Sequence, residues 1–175
     1  MSRSALIVID MVNAYDFPDA DKVVPSATKA VPVIRELIER AADDGTPVIY
    51  VNDNFGHWRS NRDELVEEAL EAPHADLVDP IKPSDDSLFV VKARHSIFYQ
   101  TPLEYLLSQE DVGSVTLTGQ VTEQCVLYSA LDAYIRHLDV RVPPDAVAHI
   151  HEDLAKAALT MMERNMSADL SPVRD

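Results

Sequence analysis

Ala5-Leu6-Ile7-Val8-Ile9-Asp10 is a run of five apolar residues that stops on a carboxylate. It lacks the alternation of a half-buried strand, so it predicts a strand covered on both faces, as in the middle of a parallel sheet. The pattern recurs. Val48 to Val51 follows Pro47 and closes on Asn52 and Asp53, and Leu88 to Val91 ends at Lys92. Val115 to Leu117 is broken by Gly119, and Val140 to Val142 is stopped by Pro143 and Pro144.

Helical patterns separate these runs. Ile34, Leu37, Ile38 and Ala41 recur at helical spacing before a stop at Gly45, which leaves Pro18 and Pro25 in a preceding loop and Pro32 in the first turn or at a kink. Thr101-Pro102-Leu103-Glu104 has the form of a capping box, predicting a helix through about Ser108. Thr122 is a candidate cap for a helix through Val126, Ala130 and Ala133 to about His137, with Cys125 in its first turn. Leu154, Ala158, Met161 and Met162 mark a last amphipathic helix, the methionines reading as core or subunit contact. The stretch Asn54 to Asp86 is polar and acidic, with a possible helix around Asp63 to Leu70, and reads as a surface excursion. Such alternation predicts an α/β protein: a three-layer α/β/α, Rossmann-like fold around a mainly parallel sheet of five to six strands, forming one domain over residues 1–175. Sheets of this kind carry their chemistry outside the carboxyl ends of the strands.

A net charge of -15, from 30 acidic and 15 basic residues, repels phosphate backbones and anionic lipid, so neither nucleic acid nor membrane is an expected partner. Much of the acid lies between Asp63 and Asp86 and reads as solvated surface, without bearing on substrate charge. No apolar run approaches the ~20 residues that span a bilayer, and the first residues lack a signal-peptide core, so a cytoplasmic location is expected. The single cysteine excludes an intramolecular disulfide.

Three reactive side chains follow three of the strands: Asp10, Lys92 and Cys125. Carboxyl ends of parallel strands share one side of a sheet, so the three meet if their strands are close in the sheet order, which the sequence leaves open. An ordinary thiol is only about 3% thiolate at pH 7 and needs a base or a lowered pKa to act as a nucleophile. Asp10 is a candidate acceptor for the thiol proton, and Lys92 for stabilising the charge left behind. The turn Gly119 to Cys125 offers backbone N–H groups for an oxyanion. Composition and spacing equally allow a cysteine that is a small buried hydrophobe and an Asp and Lys that are ordinary strand-end residues.

The segments Ala5 to Asn13, Val91 to Phe98, and Leu117-Thr118-Gly119 through Cys125-Val126 resemble, in order, the three signature regions of the isochorismatase-like cysteine hydrolases. The resemblance implies a catalytic triad of Asp10, Lys92 and Cys125. It also implies a cis peptide between Gln120 and Val121, with the Val121 and Cys125 N–H groups as oxyanion donors. Nicotinamidases of that family hold a metal through an Asp-x-His motif, whereas Asp53 is followed here by Asn54 and Phe55, so no metal and no other cofactor is expected. The implied reaction is hydrolysis of a small amide, ureido or carbamoyl compound through a thioester. The Lys92-x-Arg94-x-Ser96-x-Phe98 spacing also resembles the isochorismatase branch, which leaves vinyl ether cleavage with Asp10 as the acid open beside a non-catalytic binding module. The resemblance further implies a homo-oligomer.

Around the proposed centre, Asn13, Tyr15 and Phe17 follow the first strand and Asn54, Phe55, His57 and Trp58 the second, so both loops are candidate pocket walls for a small planar substrate. Arg94 is a candidate for holding a substrate carboxylate, and Phe98 is a further candidate wall. His57 and His74 read as ordinary exposed or hydrogen-bonded histidines rather than ligands. Phe17 and Trp58 serve equally well as loop anchors or subunit contacts.

Overall fold

Strand β1 (Arg3–Ile9) lies at the centre of the sheet in the computed structural model, which describes residues 3–58 and 61–174. The strand order is β3-β2-β1-β4-β5, where β2 is Val48–Asp53, β3 Leu88–Lys92, β4 Val112–Gln120 and β5 Asp139–Arg141. A sixth strand, β6 (Val147–Ala148), absent from the sequence reading, pairs with the end of β4. Every named pairing is parallel.

Strand alternation sends successive side chains to two separate cores. Ala5, Ile7, Ile9, Ile49 and Val51 pack with α4 (Leu103–Gln109), α5 (Leu127–Ile135) and α6 (Glu152–Met166). Leu6, Val8 and Tyr50 pack on the other face against α1 (Ala20–Asp44), with α2 (Arg62–Glu71) and α3 (Ala75–Val78) alongside. The fold is thus the expected three-layer α/β arrangement, and no helix of the described residues is long and apolar enough to cross a membrane.

Five local expectations are corrected. Helix α1 starts at Ala20, so Pro25, expected in the preceding loop, lies inside it and Pro32 falls well past its first turn. Each internal proline costs roughly 3 kcal/mol, but burial of Val23, Val31, Val33, Ile34 and Leu37 contributes about 1.5–3 kcal/mol per side chain and outweighs it. The expected stop is real: Gly45 caps α1 at φ 68°. The Thr101 to Glu104 capping box does not form, because Glu104 pairs with Arg136 at 2.7 Å. Thr122 does not cap α5 either; its hydroxyl donates to the Ala148 carbonyl, and Thr122–Val126 forms a π-helical turn that carries Cys125 ahead of α5. Gly119 does not break the fourth strand, which runs on through it to Gln120. In α6, Met162 and Ala158 are buried and Leu154 and Met161 exposed.

The sheet order reverses at β1: the chain passes outward to β2 and β3 on one side and returns to β4 on the other. Such a switch point opens a crevice at the carboxyl ends of the two central strands. Here those ends approach very closely. Gly119 (φ 104°) pairs with Ile9, and a Cβ at residue 119 would lie 2.1 Å from the Ile9 carbonyl oxygen. Gly119→Ala is therefore expected to lose more than about 4 kcal/mol or fail to fold, a value urea unfolding will measure.

Candidate active site

Asp10 is the first residue beyond β1 and turns into the left-handed region at φ 55°. Its carboxylate is fixed at both oxygens. The Asp53 N–H donates to Oδ1 at 2.8 Å, and Lys92 Nζ lies 2.9 Å from Oδ2. Gln120 holds the same residue by its backbone, donating from Nε2 to the Asp10 carbonyl at 2.9 Å. The Tyr15 hydroxyl in turn donates to Gln120 Oε1.

Lys92 ends β3 in register with Asp53 at the end of β2, and its side chain is entirely removed from solvent. Its ammonium reaches Asp10, the Asp53 carboxylate at 3.5 Å and Cys125 Sγ at 3.7 Å. The sequence reading assigned Asp53 no part here. Cys125 is 8% exposed, and its sulfur also lies 3.8 Å from Nδ1 of His95, a second neighbour the sequence reading passed over. The peptide bond between Gln120 and Val121 is cis, and the Val121 carbonyl accepts from the amides of Gln124 and Val126, on either side of Cys125.

Burial pushes the Asp10 carboxyl above its ordinary range, against the pull of Lys92. Burial alone would lower the Lys92 pKa, yet the surrounding Asp10, Cys125 and Asp53 raise it. The Cys125 thiol is driven up by burial and then by the Asp10 charge, with Lys92 opposing. At neutral pH Cys125 therefore rests as a neutral thiol, facing the Lys92 nitrogen that also contacts the Asp10 and Asp53 carboxyl groups. The thiol hydrogen-bonds to Asp10, which is thus placed to receive its proton.

A cavity of about 520 Å³ opens beside Lys92, lined in part by Asn54, His57, Trp58, Arg94, Tyr99 and Gln100. Of the side chains expected to face substrate, Asn54, His57, Trp58 and Arg94 line it. The others lie elsewhere. Asn13 accepts the Tyr15 N–H in a local turn, Tyr15 is buried beneath Gln120, and Phe17 packs beside Tyr15. Phe98 is buried under the Arg136 guanidinium, 4.6 Å from its ring centroid. Tyr99 and Gln100 follow the lysine strand at no recognisable spacing, so only the loop geometry brings them to the cavity.

Asp53 and its neighbours do not fit a metal. One Asp53 oxygen accepts the Phe55 N–H and the other faces Lys92, while His57 approaches Glu68 at 3.8 Å. Among the described residues no three His, Cys, Asp or Glu side chains are grouped to hold a cation.

The isochorismatase domain model matches residues 4–174. An uncharacterised isochorismatase family protein of Bacillus subtilis, YaaI, is 34% identical over 95% of this chain and 92% of its own length. The maleamate amidohydrolase of Pseudomonas putida is 27% identical over 90% of this chain and 78% of its own. The crystal structure of N-carbamoylsarcosine amidase from Thermoplasma acidophilum superposes with a TM-score of 0.76 at 28% identity, covering 99% of this chain and 98% of that one.

Removing the ammonium would leave the buried Asp10 carboxylate facing the half-buried Asp53 with no cation between them. Lys92→Met is expected to destabilise the fold by about 3–5 kcal/mol at pH 7. An acid whose folded pKa exceeds its unfolded one binds protons more tightly when folded, so the deficit should shrink as pH falls toward 4. Denaturant midpoints across that range will show whether it does.

Proposed function

The chain belongs to the isochorismatase family, and we propose that it is a cysteine-dependent hydrolase of a small amide, ureido or carbamoyl compound, with Cys125 as nucleophile, Asp10 as proton carrier and Lys92 as charge partner. One observation carries this reading: a single buried ammonium touches both the Asp10 carboxylate and the Cys125 sulfur. In the proposed cycle Asp10 accepts the thiol proton and the sulfur attacks the substrate carbonyl carbon. The oxyanion is held by the Val121 and Cys125 N–H groups. Collapse breaks the C–N bond, and Asp10 gives its proton to the leaving nitrogen. Water then attacks the thioester with Asp10 taking a proton, which releases a carboxylic acid and restores the thiol.

The raised proton affinity of Asp10 suits this work, since it makes the carboxylate a stronger base than an exposed one. Arg94 lines the cavity and makes no ion pair among the described residues, which favours a substrate that carries its own carboxylate. Relatives are named for maleamate, N-carbamoylsarcosine and ureidoacrylate, and these define the panel to test. Trp58 supplies a wall for the planar part of such a molecule. The Ser96 and Phe98 positions shared with the isochorismatase branch serve the loop here: Ser96 bonds Asp132 and Phe98 sits under Arg136.

On the amide that gives turnover, Cys125→Ala is expected to lower kcat by about a thousandfold or more. Turnover of a vinyl ether such as isochorismate by Cys125→Ala but not by Asp10→Asn would instead support vinyl ether chemistry. Because Asp10 must be ionised to accept a proton, kcat/KM should fall with decreasing pH along a limb lying above the usual carboxylate value of about 4. A pH–rate profile measures it.

The proposed homo-oligomer is supported by exposed apolar side chains: Tyr128, Leu131 and Ile135, three and four residues apart on one face of α5, with Leu154 and Met161 on the adjoining α6. Light scattering should give a multiple of 19.5 kDa that Leu131→Asp reduces.

A further inference from the structure

The Cys125 sulfur has two nitrogen neighbours, and only one of them belongs to the proposed triad. Lys92 approaches from the fully buried side at 3.7 Å. His95 approaches at 3.8 Å through Nδ1, from an exposed position three residues beyond Lys92. The fold imposes this contact. Ser129 on α5 accepts the Ile97 N–H from the His95 loop and donates its own hydroxyl to the Cys125 carbonyl, so one side chain ties the loop to the nucleophile turn. Ser96, next to His95, is bonded to Asp132 one turn further along α5. Tyr128 closes the other side, its ring 5.7 Å from the imidazole.

We propose that His95 is a positioning residue for the Cys125 thiolate, donating a hydrogen bond from Nδ1 to the sulfur on its solvent side whenever that nitrogen carries a proton. The proposal rests on Cys125 being the reactive sulfur. The thiol has one proton, for which Asp10 is the acceptor in the proposed cycle, and the two nitrogens lie within reach of its lone pairs. Once that proton has moved to Asp10, the sulfur is an anion that one ammonium partly balances. A second donor stabilises it further, and more strongly when the imidazole is cationic. The titratable and charged groups around His95 are Cys125 itself, Lys92 and Asp10 behind the sulfur, Tyr128 from α5 and Arg94 on the same loop. A protonated Nδ1 donates to the sulfur and an unprotonated one cannot, so sulfur reactivity is expected to depend on pH through the imidazole as well as through Asp10.

The test is the rate of iodoacetamide alkylation of Cys125, the only cysteine, from pH 5 to 9 in the wild type, His95→Asn and His95→Phe. Asparagine keeps a donor near the Nδ1 position without titrating, and phenylalanine keeps neither property. The wild-type profile is expected to show an inflection in the imidazole range that both substitutions remove. His95→Phe should also react about tenfold more slowly than His95→Asn at pH 7, the order expected for one hydrogen bond to a charge. An inflection surviving either substitution, or equal rates in all three proteins, would overturn the proposal. A merely structural histidine would alter unfolding midpoints without moving the inflection. Alkylation needs no substrate, so this result stands apart from the nucleophile reading, which fails only if Cys125→Ala still turns over.

Discussion

A lysine ammonium with no access to water, set between two carboxylates, is the constraint around which this molecule is organised. Desolvating one charge costs several kcal/mol, and only close partners with fixed geometry return it. Asp10 and Asp53 meet that requirement because their strands are neighbours and the Asp53 N–H clamps the Asp10 carboxylate. Lys92 reaches them from β3 across the end of β2, so the three strand ends are held in one electrostatic unit. The thiol completes the group by hydrogen-bonding to the base while facing the cation.

Buried polar side chains hold the surrounding loops to this unit. Asn52 accepts the Val12 N–H and donates to the Val12 carbonyl, fixing the turn after Asp10 as a strand would. Gln120 does the same between the ends of β4 and β1. Glu123 accepts the Ile150 and His151 N–H groups and so ties the cysteine turn to the start of α6. Each of these contacts would leave unpaired groups in a dry environment if broken, which makes the geometry costly to relax. The wall of the cavity is different in kind. Trp58 is 81% exposed and Tyr99 57% exposed, so the part that meets substrate is far less constrained than the part that holds the proton.

Most of the framework was legible in the chain because buried parallel strands write themselves as short apolar runs, and their closing residues stand out against that background. Asp10 and Lys92 each end such a run. Failures came where tertiary contacts outweighed local signals. Pro25 and Pro32 sit inside α1 because one helix face is buried along its length. Thr122 spends its hydroxyl on β6, and β6 itself is too short to leave a pattern.

By itself the sequence determined the class of fold and the three reactive residue types at the ends of their elements. These follow from periodicity and from the limits of single residues, which are local properties. The strand order was decided only in three dimensions, and with it the meeting of Lys92 with Asp10, the entry of Asp53 as a second carboxylate and the approach of His95 to the sulfur. The withdrawal of Asn13, Tyr15 and Phe98 into structural contacts was decided there too. The meetings of Lys92 with Asp10 and Asp53 and of His95 with the sulfur join residues 30 or more positions apart, through strand register and loop anchoring that no local stretch of chain encodes.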